Sequence, residues 1–170
     1  MKISEKAAIY NADQIELGDF ARIDDFSTLS GRVKLGRNVM ISALCHIGGG
    51  TPGVELEDFS TLAYGVKVMS QSDDYLGETM TNPTIPAAFK NETKARTTVR
   101  RHVIIGTNSV VLPGVDLAEG CAVGAMSLVL ESTEPWGVYA GIPARRLKDR
   151  KRDLLALEAA YLKSDEPDGA

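Results

Sequence analysis

Long stretches of this chain carry an aliphatic residue at every sixth position. Leu17, Ile23, Leu29, Leu35, Ile41 and Ile47 follow at that interval, Leu56, Leu62 and Val68 resume it after a glycine-rich slip, and Val99, Ile105, Val111, Leu117, Val123 and Val129 take it up again after a long interruption. A second column lies four residues after these: Ala21, Ser27, Val33, Val39, Cys45, Ser60, Val66, Ser72, Val103, Ser109, Val115, Cys121, Ser127 and Thr133, all small or β-branched. Self-similarity at a fixed short period marks a repeat architecture.

Each hexad supplies one short strand and one turn, and three hexads close a triangular coil. Alternate residues of a strand point to opposite faces. The aliphatic residue and the small residue two before it therefore enter the prism, and the one between them faces out. Stacked coils pair as parallel strands ~4.8 Å apart. Gly18, Asp24, Gly36, Ser42, Gly106, Ala118 and Gly124 follow the aliphatic positions, where a tight turn is expected. The fold class predicted is all-β: a parallel β-helix of hexapeptide repeats.

The interruptions are informative. His46 to Gly53 adds three residues between hexads and predicts a small protrusion at one corner. Between Gln71 and Thr98 the beat is lost, in a polar stretch with Asp73, Asp74, Asn82, Pro83 and Pro86. An excursion this long from a compact repeat is functional or disordered as a rule, and Tyr75 and Phe89 favour an ordered arm. The domain plan is thus a β-helix over 1–145 with an excursion over 71–98, a helix over 146–163 carrying Leu147, Leu154, Leu155, Leu157, Tyr161 and Leu162, and a polar tail over 164–170.

Composition narrows the function classes. The 170 residues, 44% hydrophobic and 25% charged, suit one globular domain. A net charge of -4 offers no general attraction for nucleic acid or an anionic bilayer. No signal peptide or membrane-spanning run is read in the sequence, so the expectation is a cytoplasmic protein without membrane insertion. Cys45 and Cys121 are far apart and both occupy the small inward slot, which makes them core residues rather than a redox pair or zinc ligands.

The hexad array followed by Tyr139-Ala140-Gly141-Ile142-Pro143-Ala144-Arg145 resembles the hexapeptide-repeat acyltransferases. Ser72-Asp73-Asp74-Tyr75, Thr81-Asn82-Pro83, His102-Val103-Ile104-Ile105-Gly106 and Glu134-Pro135-Trp136-Gly137 look most like the branch that acylates nucleotide-linked amino sugars for surface polysaccharide, of the dTDP-4-amino-4,6-dideoxyglucose N-acetyltransferase type. The resemblance implies a left-handed coil, a homotrimer with active sites between β-helices, and acetyl-CoA as co-substrate with no metal. It also implies a small-molecule acceptor and a role in lipopolysaccharide (O-antigen) biosynthesis. By the same resemblance, Gly106, Gly124 and Ala125 would line the pantetheine groove, and Arg145 and Arg146 would meet the CoA phosphates. Simple turn chemistry competes for the glycines.

Acyl transfer needs a base for the nucleophile's proton. His46 falls between inward-facing Cys45 and Ile47 and so faces outward, with Thr28 stacked below it and Lys67 above. A neighbouring ammonium favours the neutral imidazole that a base requires. His102 falls at a corner. The amino-sugar branch does not fix a histidine at the position of His46, and Asp73 and Asp74 are rivals, as carboxylates that would bind an ammonium and accept its proton. Tyr75, Lys94 and Arg96 are the candidate substrate contacts, the two cations within a basic run opposed only by Glu92.

A sugar O-acetyltransferase is the competing enzyme class and depends heavily on His46. A non-catalytic structural β-helix subunit is the competing non-enzyme class. A zinc enzyme of carbonic anhydrase type needs three imidazoles per metal, and the chain has two.

Overall fold

The computed structural model describes residues 1–164. Its body is a parallel β-helix of three ladders. One ladder stacks Lys2–Ile3, Arg22–Ile23, Met40–Ile41, Thr61–Leu62, Ile104–Ile105, Ala122–Val123 and Gly137–Gly141. The long strands Thr28–Leu35 and His46–Leu56 turn a corner and belong to both other ladders. Their first halves stack with Ala8–Ile9, Lys67–Met69, Val110–Val111 and Leu128–Val129. Their second halves stack with Ile15–Leu17, Thr97–Val99 and Asp116–Leu117.

The registers join equivalent hexad positions, Ile23 with Ile41 and Leu62 with Ile105, for example. Each aliphatic position from Ile23 to Val129 is almost fully buried. Burying such a side chain contributes about 1.5–3 kcal/mol over leaving it exposed, so the core is a sum of nearly equal layers. The second column is inward as well. At Ser27, Ser109 and Ser127 the hydroxyl bonds backbone: Ser27 Oγ donates to Ser42 O at 2.9 Å, and Ser109 Oγ and Ser127 Oγ donate to Gly124 O at 2.9 Å and 2.7 Å. Cys45 and Cys121 are buried free thiols whose pKa burial pushes up.

Near the excursion the second column shifts. Ser70, not Ser72, takes the inward place, its hydroxyl on Gly48 O and Gly49 O. Ser72 lies in Gln71–Ser72, which pairs antiparallel with Thr93–Lys94 to form the base of the arm. The arm itself holds a short 3-10 turn, Ala87–Phe89.

The turns are made differently from the expectation. None of Gly18, Gly36, Gly106 or Gly124 has a positive φ. Left-handed backbone falls instead three residues after the aliphatic position, at Phe20, Phe26, Asn38, Leu44, Phe59, Gly65, His102, Asn108, Gly114, Gly120 and Met126, with φ between 55° and 84°. For the non-glycine residues this conformation costs roughly 1–2 kcal/mol each, which the stacking of neighbouring coils must offset. The glycine just after the aliphatic residue serves close packing: a β-carbon on Gly18 would sit 2.4 Å from the carbonyl carbon of Gly36.

The C-terminal region also departs from the expected helix over 146–163. Ala144–Asp149 is a strand that folds back antiparallel on Gly137–Gly141, and the helix spans Leu154–Ser164. Backbone bonds along the open edge of the last coil outweigh the helical spacing of Leu147 with Leu154. Apart from Ser164, which ends the helix, the expected tail lies outside the described residues.

Candidate functional site

The outer surface of the coil that contains His46 carries the candidate site. His46 opens its strand, paired with Thr28 on one side and Lys67 on the other, as the hexad count requires. Burial, and then the Lys67 charge, hold its imidazole below the ordinary histidine pKa. Its Nε2 extends over Gly48, where a β-carbon would lie 3.2 Å away. The imidazole is therefore neutral near pH 7, half-buried and open on one side.

That side is a cleft of about 510 Å³. Asn11, Gln14, Ser30, Thr51, Met69 and Gln71 line it with His46, over a floor of Gly31, Gly48 and Gly50. Asn11 and Gln14 belong to one 3-10 turn and Gln71 to a later coil, and the stacking of coils unites them, so no local motif announced the set.

The other candidate residues lie elsewhere or are already engaged. Asp74 is the organiser of a turn in the arm: its carboxylate accepts from the N–H groups of Leu76 and Thr79, both at 2.7 Å. Those bonds lower its pKa, the Leu76 N–H first. Asp73 precedes it, and neither aspartate lines the cleft beside His46. Tyr75 is 90% exposed on the same turn.

The basic run is paired within the protein. Glu92 takes both Lys90 and Lys94 at 2.8 Å, and its carboxyl is pulled down to about 2 by bonds from Lys90 first and Lys94 second. Arg96 pairs with Glu55, and Arg100 with Asp116.

Gly106 and Gly124 are coil-packing positions. A β-carbon on Gly106 would meet Ala125 N at 2.4 Å, and one on Gly124 would meet Ala140 Cβ at 3.0 Å. Arg145 and Arg146 sit on the added antiparallel strand, exposed, with Glu131 3.9 Å from Arg145 and Asp149 bonded to Arg146. Neither lines the cleft beside His46.

His102 has a structural setting. It is buried at a corner, stacked on Phe59 at 5.3 Å, with Nε2 2.8 Å from Glu158 Oε2 of the C-terminal helix. Arg101 reaches the same Glu158, and Tyr161 packs edge-on against Phe59. Trp136 lies flat over Gly120 and covers the end of that corner column. Among the described residues no cluster of three or more His, Cys, Asp or Glu side chains could hold a metal ion, and no helix is long and apolar enough to cross a membrane.

A second corner is left bare. Phe26, Leu44, Tyr64 and Met126 are each about 60% exposed. Their coils stack through Leu44 N to Asp25 O, Gly65 N to Ala43 O, Asn108 N to Tyr64 O and Met126 N to Thr107 O. The result is an apolar edge that runs past the start of the His46 strand.

No protein-family model matches the chain. Among curated proteins, an Escherichia coli dTDP-4-amino-4,6-dideoxy-D-glucose acyltransferase is 37% identical over 164 residues, 95% of this chain and 85% of that one. Among solved structures, the Bacillus cereus N-acyltransferase AntD, in complex with dTDP and 3-hydroxybutyryl-CoA, superposes with a TM-score of 0.95. It is 42% identical and covers 97% of this chain and 88% of that one. A serine-to-cysteine variant of AntD in complex with dTDP-4-amino-4,6-dideoxyglucose and coenzyme A gives a TM-score of 0.94 at 43% identity, covering 95% and 87%. Fold and likeness together define an acyltransferase built on a left-handed parallel β-helix. The chain belongs to the family of dTDP-4-amino-4,6-dideoxyglucose acyltransferases.

Proposed function

We propose that this enzyme transfers a small acyl group from acyl-CoA to the 4-amino group of dTDP-4-amino-4,6-dideoxyglucose. The amine nitrogen attacks the thioester carbonyl, the C–N bond forms, the C–S bond breaks, and CoA leaves as the thiol. His46 Nε2 accepts the proton that the nitrogen loses. The observation that carries the reading is likeness over 97% of this chain to AntD, whose structures hold dTDP, the amino sugar and CoA or 3-hydroxybutyryl-CoA, combined with a neutral imidazole that opens on a cleft.

Sequence reading favours acetyl as the acyl group, and the AntD complex makes 3-hydroxybutyryl the alternative to test. The hydroxyl-acylating reading loses ground to the amine because both relatives named above are amino-sugar enzymes by name or ligand.

The working unit is a homotrimer. Phe26, Leu44 and Met126 each bear strained left-handed backbone and an exposed apolar side chain at one corner, where Gly65 and Asn108 lie between Leu44 and Met126, a combination that makes sense when another copy covers it. Leu44 lies two residues from His46, so a second copy seated there closes the site from one side and forms the wall along which CoA runs. Ala125, Arg145 and Arg146 are the proposed CoA contacts, and Gly106 and Gly124, which pack the coils, are the positions where a CoA role competes with packing. Tyr75, Lys94 and Arg96 are the acceptor contacts, with Asp73 or Asp74 the alternative base. Acyl-CoA and nucleotide sugars are intracellular metabolites, which supports action in the cytoplasm, and the product would feed surface polysaccharide such as lipopolysaccharide.

The test is CoA thiol release from acetyl-CoA and from 3-hydroxybutyryl-CoA, each with the 4-amino sugar nucleotide and with its 4-hydroxy counterpart. Release with the amine alone is expected.

A further inference from the structure

The arm leaves the coils just after Ser70 and rejoins them at Thr97, and both side chains are fully buried in the prism. Thr97 stands two residues before Val99, which places it in the inward column. The inward neighbours Val66, Val68, Val99 and Val111 carry no polar side-chain atom, so each hydroxyl must find its partners on backbone.

The partners lie on separate segments. Ser70 Oγ donates to Gly49 O, with Gly48 O 3.1 Å away, and both carbonyls follow His46 on its strand. Thr97 Oγ1 donates to Met69 O at 2.7 Å and accepts the Gly114 N–H at 3.2 Å. Backbone closes the junction: Ser70 N donates to Gly48 O and Ala95 N to Ser70 O, both at 2.9 Å. Met69 in turn pairs with Gly48 and lines the cleft beside His46. Two buried hydroxyls thus tie together the His46 strand, the start of the arm, its end and the corner after Val111.

Farther out, the arm is bonded mainly to itself. Asp74 takes the N–H groups of Leu76 and Thr79, Met80 N donates to Phe89 O, and Asn91 N donates to Thr79 Oγ1. Its root ladder is two residues long on each side, and the pair of Arg96 with Glu55 lies at the surface, where such pairs hold weakly. A segment braced within itself and rooted at one junction takes its direction from that junction.

We infer that Thr97 and Ser70 are positioning residues for the acyl transfer. Their hydroxyls set how the arm meets the His46 strand, and with it the place of Asp73, Asp74 and Tyr75 relative to the imidazole. The inference rests on the transfer reading above. Small misplacements far from the chemistry cost turnover heavily, and hydroxyl bonds inside an apolar core are the directional fixings that prevent them.

The experiment compares Thr97→Val, which keeps the shape and removes the hydroxyl, with Thr97→Ser, which keeps the hydroxyl. In Thr97→Val, kcat with the amino-sugar nucleotide is expected to fall about tenfold or more, while KM for acyl-CoA stays at the wild-type value. Thr97→Ser is expected to restore turnover. Hydrogen exchange reads the junction without turnover: the Ala95 amide is expected to exchange faster in Thr97→Val, and those of Ile104 and Val110 in the coils at wild-type rates. Should Thr97→Val fail to fold, Ser70→Ala carries the same comparison.

Three results overturn the assignment and leave the transfer reading intact. They are wild-type kcat in folded Thr97→Val, a Thr97→Ser as slow as Thr97→Val, and unchanged exchange at Ala95 in Thr97→Val. Wild-type enzyme silent toward the amino sugar overturns the transfer reading and the positioning role with it.

Discussion

His46 and Lys67 occupy one rung of the parallel ladder, so the imidazole of one coil lies directly beside the lysine of the next. Lys67 Nζ in turn donates to Gly65 O at 2.5 Å, which holds the ammonium near the corner. A cation in this place disfavours imidazolium and holds His46 in the neutral form that a base requires.

The consequence is a pH profile. His46 must be neutral to accept a proton, so kcat rises with pH through the depressed imidazole pKa, with its acid limb below the ordinary histidine value near 6.5. Lys67→Gln removes the positive neighbour, raises the imidazole pKa and moves that limb to higher pH, though burial, the larger cause, remains. His46→Asn lowers kcat by about a hundredfold or more. Near-normal turnover of His46→Asn would remove it as the base and return attention to Asp73 and Asp74.

His102 gives the opposite expectation from the same residue type. It holds the C-terminal helix through Glu158 and stacks on Phe59. His102→Asn retains a residue tolerant of left-handed backbone and loses the stack and the carboxylate contact. Its cost is about 1–3 kcal/mol of stability, read as a lower Tm, with kcat at the wild-type value.

Gly106 separates a packing role from a CoA role. In Gly106→Ala the new methyl meets backbone atoms Ala125 N at 2.4 Å and Gly124 C at 2.8 Å, so the coils must part. Overpacking of this kind costs about 1–3 kcal/mol. A fall in denaturation midpoint is expected. A raised KM for acyl-CoA with stability unchanged would instead make Gly106 a ligand contact.

The bare corner predicts its own test. Leu44→Glu or Met126→Glu places a charge on the apolar edge at a side chain about 60% exposed, so the isolated β-helix folds as before. Sedimentation is expected to show the wild type as a trimer and each variant as a monomer, with activity lost in parallel. A wild-type monomer that turns over at full rate contradicts the assembly.

The inward columns were legible because burial acts on residue type: Ile41, Leu62 and Ile105 are aliphatic since nothing else fits the prism. The outward place of His46 between Thr28 and Lys67 followed from counting. The corners were not legible, because Phe26, Leu44 and Met126 lack turn-forming chemistry and adopt φ near 60° only under the constraint of stacked coils. Ala144–Asp149 was hidden for a related reason. Gly141 at φ 107° and Pro143 reverse the chain onto an unpaired edge that only the folded solenoid presents. Asn11, Gln14 and Gln71 carry no spacing signal and line the cleft beside His46 only through the stacking of coils.

The central claim, acyl transfer to the sugar amine, is tested most directly by thiol release with dTDP-4-amino-4,6-dideoxyglucose beside the matching 4-hydroxy sugar nucleotide, using acetyl-CoA and 3-hydroxybutyryl-CoA as donors. Turnover with the amine and none with the hydroxyl compound is the predicted result. Turnover with the hydroxyl compound alone, or CoA binding without turnover of either, would contradict it.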